Sequence, residues 1–529
     1  MTGCTPTLPS LLDELVRRGD TAIHAGDAAR PLSELVRAAR RFAAGLAKCG
    51  IGPGDRIALW LPNGFEWLIA FFAAARLGAL AVAVNTRFRS AEVEYLLAKS
   101  KARLLIYDPG FLGIDFEGVL REVAASAVPD LETIVTLTPA RDPGLGRRTA
   151  TFGELGASGG DSPDLGTPHS RLIAFTTSGT TSKPKIVLHT QQAVVDHARD
   201  AAAGFELDRP DAKLLALLPL CGTFGFTSVM AALCAGAEVF LEPRYDAQAA
   251  AEKLRRHRIS HSFGSDEMFA PVLDAAAGDD PFPDLHAIGF AAFRAGFREL
   301  VAAAQRRGVR MVGLYGSSEV HALFARQPFA SPLDRRCQGG GVPVRPAAEI
   351  RIRDAATGEI AAAGTAGEIE IRSPTMLGEY LDDPQATARA FTADGFFRTG
   401  DLGTATADGG FVYLNRIGDA LRISGYLVNP SEIEDILKEH PLVRDAQVVG
   451  VEVEQALRPF AFVLAQAGQA FDEAAVLAEA KARMAKYKLP YRVIALDEFP
   501  TTPSANGAKV QKTVLRDMAA RIVAEPARN

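Results

Sequence analysis

Apolar positions in the first hundred residues follow two alternating periods. Stretches 32–49, 66–77 and 90–100 repeat apolar residues every three or four positions and predict amphipathic helices. Short apolar runs at 56–60, 80–84 and 103–107 predict strands between them. This βα rhythm predicts an α/β layer. Residues 142–169, rich in Gly, Ser, Asp and Pro and weakly periodic, read as a surface connection to a second α/β layer. There the rhythm resumes, with strands predicted at 172–176, 213–218, 238–241 and 311–315 and Ala-rich helices at 247–257 and 297–307. After about Gly339 the period shortens to alternation, including 348–353 and 367–372, as in a small β unit. A separate small α/β unit begins near Arg416. In it, Asn429, Pro430 and Glu432 take the cap, first and third positions of a helix running towards His440. No period of 20–50 residues repeats, which excludes a solenoid, and there is no low-complexity tail.

Composition narrows the class. A chain of 529 residues, 48% hydrophobic and 23% charged, is too long for one core and is expected to fold as several packed units. A net charge of −5 supplies no basic field to draw the molecule onto nucleic acid or anionic lipid, so neither is an expected partner. The five cysteines, Cys4, Cys49, Cys221, Cys234 and Cys337, are dispersed and form no CxxC pair, which fits a reducing cytoplasm. The first twenty residues mix charges with leucines and lack the apolar core of a secretory signal. Residues 68–84 approach membrane-spanning length, but Arg76 and Gly78 interrupt them, and a buried helix followed by a strand is expected instead of a span.

The strongest local signal is Thr177-Ser178-Gly179-Thr180-Thr181-Ser182-Lys183-Pro184-Lys185, directly after an apolar strand. Small residues let backbone N–H groups converge, hydroxyls add donors, and Lys185 adds charge, a combination suited to a polyphosphate. The segment does not match GxxxxGK[ST], which disfavours a P-loop kinase or GTPase. Four further segments follow: Tyr315-Gly316-Ser317-Ser318-Glu319, Arg398-Thr399-Gly400-Asp401, Asn415-Arg416 through Pro430, and Asn506-Gly507-Ala508-Lys509-Val510-Gln511-Lys512. With the first, they resemble in content and order the signatures of the adenylate-forming (AMP-binding) superfamily, which includes acyl-CoA synthetases, aryl-CoA ligases, peptide-synthetase adenylation domains and firefly luciferase. Gly54-Asp55-Arg56 and Leu61-Pro62-Asn63 resemble its N-terminal landmarks.

The resemblance implies a large N-terminal AMP-binding domain over 1–417, built of two α/β layers plus a small β unit. It also implies a small mobile α+β C-terminal domain over 418–529. The implied activity is adenylation of a medium-chain or aromatic carboxylic acid by ATP, with release of pyrophosphate, followed by transfer to coenzyme A. Both reactants of the first step are anionic, so positioning and charge neutralisation are the needs to be met. By resemblance, residues 177–185, including Thr177, Ser178, Gly179, Thr180, Thr181 and Lys185, hold the departing phosphates. Ser318 bonds the α-phosphate, Glu319 holds Mg²⁺, and Tyr315 stacks on adenine. Asp401 accepts from the ribose hydroxyls, Arg416 reaches ribose and phosphate, and Gly425 lets pantetheine pass. Lys509 is the implied catalytic cation, with Lys512 as the alternative because Ala508 interrupts the usual Gly-Lys pair. Gly418 is the implied hinge. The sequence neither requires nor excludes a homodimer.

The acyl pocket is implied to lie at 218–225 and 289–293. Gly222 stands where many relatives carry a larger ring, Phe224 follows, and Phe290 and Phe293 would form an apolar wall. Asp266 or Glu267 could face a polar substituent of the acid. Ser182 and Ile186 replace glycines usual in the phosphate loop, and Ser318 replaces threonine. Two other functions stay open: loading of a carrier-protein thiol, and a nucleotide-binding regulator that has lost catalysis.

Overall fold

The structure is a computed structural model that describes residues 7–157, 160–177, 184–291, 297–354, 357–417, 421–423, 426–428, 430–453, 456–484, 486–504 and 507–524. Two large sheets dominate it. The first has eight strands in the order Glu379–Tyr380, Ile186–Thr190, Arg171–Thr176, Leu80–Ala83, Arg56–Trp60, Leu104–Tyr107, Thr133–Thr136 and Arg148–Thr151. It is parallel from Arg171–Thr176 onward. The second has thirteen strands. Its parallel half runs through Glu238–Leu241, Lys213–Ala216, His261–Ser265, Ala287–Ala291 and Met311–Ser317, and is continued antiparallel by His321–Arg326 and Gly340–Pro343.

Strand parity decides which core each side chain enters. Ile57, Leu59, Phe175, Leu214, Leu241 and Phe263 face a common core between the sheets. Their neighbours Ala58, Trp60 and Leu105 face outward into a second cluster, and Leu215, Phe240 and Ile288 into a third. The helices Phe65–Leu77 and Thr223–Ala235 fill the space between the sheets and are apolar all round, as a helix covered on every side must be. The interrupted apolar stretch at 68–84 thus becomes a buried helix and strand, and no described helix is long and apolar enough to cross a membrane.

One expectation changes and another gains its place. The connection at 142–169 contains the edge strand Arg148–Thr151 and the helix Phe152–Ala157; the strand is half-exposed, so it carries little apolar signal. The β unit expected after Gly339 is present and prolongs the thirteen-stranded sheet through Gly340–Pro343. That junction requires glycine. Gly340 and Gly341 have φ of +99° and +105°, and a Cβ on them would sit 2.3 Å from the Phe411 carbonyl oxygen and 2.0 Å from the Arg326 carbonyl carbon.

The closing segment packs on two cores of its own. One joins Leu421, Ile433, Val448 and Ala461; the other joins Val449, Phe460, Phe462 and Leu515. Its three-stranded sheet comprises Val443–Val453, Ala456–Ala465 and Val493–Leu496, and a hairpin, Thr501–Ser504 with Gly507–Val510, lies beside it. Pro430 opens the helix Pro430–Lys438, which stops short of His440; Asn429, the expected cap, lies outside the described residues.

Candidate active site

The turn after strand Met311–Ser317 gathers the densest set of candidate residues. Gly316 permits it, because a Cβ there would meet the Ala322 Cα at 2.5 Å and the His321 carbonyl at 2.6 Å. Tyr315 is 6% exposed and sets its ring edge-on to Phe411. Its hydroxyl donates to Asp401 Oδ2 at 2.6 Å. Asp401 and Arg416 face each other across strands Phe397–Ala405 and Phe411–Arg416, and Arg416 Nε lies 3.0 Å from Asp401 Oδ1. Arg416 also donates to the Thr399 carbonyl at 2.8 Å. Burial, with the Asp401 carboxylate beside it, pushes the Tyr315 phenol well above its usual range. Burial alone would lower Arg416, but Asp401, Tyr315, Tyr413 and Glu319 together outweigh it and hold the guanidinium above its ordinary value. The three residues are thus joined by one hydrogen bond and one ion pair, both at the Asp401 carboxyl.

Glu319, on the same turn, accepts a 3.0 Å hydrogen bond from the Tyr380 hydroxyl on Oε1. Burial and this carboxylate raise the Tyr380 phenol. The Lys185 ammonium lies 4.5 Å from the centre of the Tyr380 ring, so Tyr380 connects the cation at the end of the phosphate loop with the acid of the turn. The loop is closed at its base by Thr177 N–H donating to the Lys185 carbonyl at 2.9 Å. Ser178, Gly179, Thr180, Thr181 and Ser182 lie outside the described residues. Ile186, one of the replacements for glycine, is 1% exposed and fills the outer core, which gives the change a packing reason.

The donor set fits Mg²⁺. Glu319 offers one hard carboxylate oxygen, Oε2, with no hydrogen bond among the described residues, and no cluster of three or more metal-ligating side chains surrounds it. A single carboxylate suits a cation that keeps water and phosphate as its other ligands.

Ser318 Oγ lies 3.3 Å from the hydroxyl of Thr223, the first residue of the helix Thr223–Ala235. Gly222 caps that helix, Phe224 is 5% exposed in the central core, and a Cβ on Gly225 would meet the Pro219 carbonyl at 2.4 Å. Asn63 pins the approach: its amide donates to the Leu218 carbonyl at 2.9 Å and its carbonyl accepts from Leu220 N–H at 2.7 Å. The Cys221 thiol is buried there, and burial pushes it up to about 12.

The opposing segment requires a correction. Phe290 does not face Gly222. Strand parity turns it to the outer side of the sheet, where it is fully buried with Ile288, Phe269 and Val272. Gly289 takes the inner face, and a Cβ on it would strike the Phe263 ring at 2.6 Å. Phe293 lies outside the described residues. Asp266 opens the helix Asp266–Ala275 and is 4% exposed.

Lys509 stands opposite Thr502 in the hairpin, and its side chain, with Gly418 and Gly425, lies outside the described set. Lys512 is already engaged. Its ammonium is 3.1 Å from Oε1 of Glu434, a buried acid that also accepts from Val448 N–H at 2.8 Å. Sequence reasoning gave no role to Tyr380, Thr223 or His189. Thr223 stood inside a recognised segment, whereas nothing in the spacing marks Tyr380 or His189.

The profile described as AMP-binding enzyme matches residues 16–381, and that described as AMP-binding enzyme C-terminal domain matches residues 432–506. A methyl-dioxo-octahydroindenyl propanoyl:CoA ligase of Mycobacterium tuberculosis is 30% identical over 528 residues, covering 97% of this chain and 99% of that protein. The indoleacetate–CoA ligase of Aromatoleum aromaticum is 30% identical over 512 residues, covering 95% and 96%. The ATP-bound structure of MatB from Rhodopseudomonas palustris superimposes with a TM-score of 0.83 at 22% identity, covering 97% of this chain and 99% of that one, and so shares the fold. By sequence along most of its length, this chain belongs to the AMP-binding enzyme family.

Proposed function

We propose that the chain is an AMP-forming acid–thiol ligase that adenylates a carboxylic acid and passes the acyl group to coenzyme A. A carboxylate oxygen attacks the α-phosphorus of ATP and pyrophosphate departs; the thiol of coenzyme A then attacks the acyl carbon and AMP departs. The observation that carries the reading is the chain of contacts from Tyr315 through Asp401 to Arg416, beside the turn that presents Ser318 and Glu319. It offers adenosine an aromatic ring, a carboxyl acceptor for vicinal hydroxyls and a cation, with a metal-binding oxygen nearby.

In this reading Tyr315 stacks on adenine, Asp401 accepts from the ribose, and Arg416 bridges ribose and phosphate. Residues 177–185 receive the leaving phosphates and Ser318 bonds the α-phosphate. Glu319 would hold Mg²⁺, which would supply charge neutralisation at the phosphates. Lys509 provides the cation between carboxylate and α-phosphate, a choice supported by the engagement of Lys512 with Glu434. We place the domain boundary between residues 417 and 418, with Gly418 as pivot for a rotation that withdraws Lys509 and brings Gly425 to the thiol path. We also assign the protein to the cytoplasm.

For the acid we favour a ring-bearing or medium-chain compound. The two relatives above are named for acids in which a fused bicycle carries a short carboxyl arm. Gly222 leaves space at the helix start that such a ring system could fill.

Pyrophosphate release from ATP with octanoate, benzoate and indole-3-acetate, each with and without coenzyme A, tests the reading. At least one acid is expected to release pyrophosphate and to yield its thioester. Pyrophosphate without any thioester would favour a carrier-protein acceptor, and failure to bind ATP would remove the proposal.

A further inference from the structure

Behind the Ser318–Glu319 turn lie three imidazole rings that the mechanism above does not use. His189, His321 and His197 are each no more than 1% exposed. The ring of His321 stacks on His189 at 3.8 Å with a 27° tilt, and on His197 at 4.6 Å with a 13° tilt, so the three form one column. One outer ring bonds the turn and the other the strand that leaves it. His189 Nε2 lies 2.7 Å from the Ser318 carbonyl, and His197 Nε2 lies 2.8 Å from the Ala322 carbonyl. A carbonyl can only accept, so each Nε2 carries the proton. The Nδ1 atoms of His189 and His197 have no partner, so these bonds are the only ones the two rings make among the described residues.

The strand leaving the turn needs such support. His321 and Leu323 adopt φ of +65° and +58°, a region that side-chain-bearing residues hold only where their surroundings impose it. The column also has an address. His189 ends the strand leaving the phosphate loop, next to its last residue Thr190, and His197 lies on the helix Gln191–Gly204 that follows. The rings therefore connect the element that carries the phosphate loop to the element that carries Ser318 and Glu319.

Resting on the function proposed above, we infer that His189, His321 and His197 are positioning residues that hold Ser318 and Glu319 at a fixed reach from the phosphate loop. They act through the backbone of the turn and of the strand that leaves it. Burial lowers His189 and His197 to about 4, which keeps both rings neutral donors at physiological pH.

The test compares His189→Leu, which deletes the donor, with His189→Gln, which returns an amide donor at similar reach. Calorimetric binding of ATP is measured with Mg²⁺ and in EDTA, alongside ATP–pyrophosphate exchange with indole-3-acetate or whichever panel acid is turned over. His189→Leu is expected to shrink the Mg²⁺-dependent gain in ATP affinity about tenfold, as loss of a supporting contact does at metal sites. Binding in EDTA should be unchanged, and His189→Gln should recover most of the loss. His321→Gly, which tolerates the backbone angle but deletes the middle ring, should behave like His189→Leu, and it serves if the latter fails to fold. Equal affinity losses with and without Mg²⁺, no loss at all, or a glutamine variant no better than leucine would overturn the inference. Glu319→Gln separates the two levels. If it keeps the full Mg²⁺ gain, the role given to Glu319 is wrong. If it loses the gain while His189→Leu retains it, only the histidine column is wrong.

Discussion

The body of the molecule and its closing segment hold their candidate chemistry in opposite ways. In the body, Tyr315, Asp401 and Arg416 contact one another on strands of the thirteen-stranded sheet, and Glu319, on the turn between two of its strands, is bonded to Tyr380 at the edge of the eight-stranded sheet. In the closing segment, Lys509 rides on a hairpin whose two strands pair only with each other among the described residues. Groups needed throughout catalysis benefit from being fixed in advance. In the function proposed above, Lys509 serves one step and must leave for the next, which a buried network would not allow and a segment with its own cores would.

The contrast breaks first at Lys509. Lys509→Ala is expected to lower the adenylation rate by about 10²–10³-fold, the effect of removing one positioned group that stabilises transition-state charge. Its melting temperature and the rate of thioester formation from supplied acyl-adenylate should stay near those of the parent; single-turnover assays of each half-reaction check this. Full adenylation by this variant, with loss in Lys512→Ala, would transfer the role to Lys512.

In the body the larger penalty is one of stability. Glu370 is fully buried and pairs with Arg351 and Arg353. Burial alone would raise its carboxyl, but the two arginines more than offset this and hold it below the ordinary value. Glu370→Gln is expected to cost about 3 kcal/mol of unfolding free energy in urea at neutral pH, as breaking a buried pair does. Because the folded-state value is depressed, the contribution is complete above the unfolded pKa and fades as pH falls through the folded one. The gap between variant and parent should therefore narrow below about pH 4.

Smaller effects sharpen the same contrast. Lys512→Met leaves Glu434 buried without its cation and should lower stability by about 2 kcal/mol while adenylation stays within a fewfold of the parent. Tyr315→Phe keeps the ring but removes the 2.6 Å bond to Asp401, and should raise the KM for ATP by about tenfold or less with little change in kcat. A large fall in kcat would mean that the phenol acts on the reaction beyond holding the nucleoside.

How much was legible in the sequence follows the same division. The strands Arg56–Trp60 and Glu238–Leu241 and the helix Ser90–Ser100 coincide with their apolar patterns because burial sets both. The edge strand Arg148–Thr151 has no such pattern and was not foreseen. Phe290 was assigned to the pocket because an aromatic in a recognised segment says nothing of which face it takes; a shift of one residue along a strand reverses the face. Tyr380 and the histidine column stayed hidden for another reason. Their partners are distant in sequence: His189 meets Ser318 and Tyr380 meets Glu319, and only the fold joins them.

Cys221 has a consequence for the chemistry as a whole. An acyl-adenylate transfers its acyl group readily to any thiolate, and this protein keeps a sulfur of its own beside the helix that opens with Gly222 and Thr223. With burial pushing its thiol up to about 12, Cys221 keeps its proton at neutral pH and is a poor nucleophile.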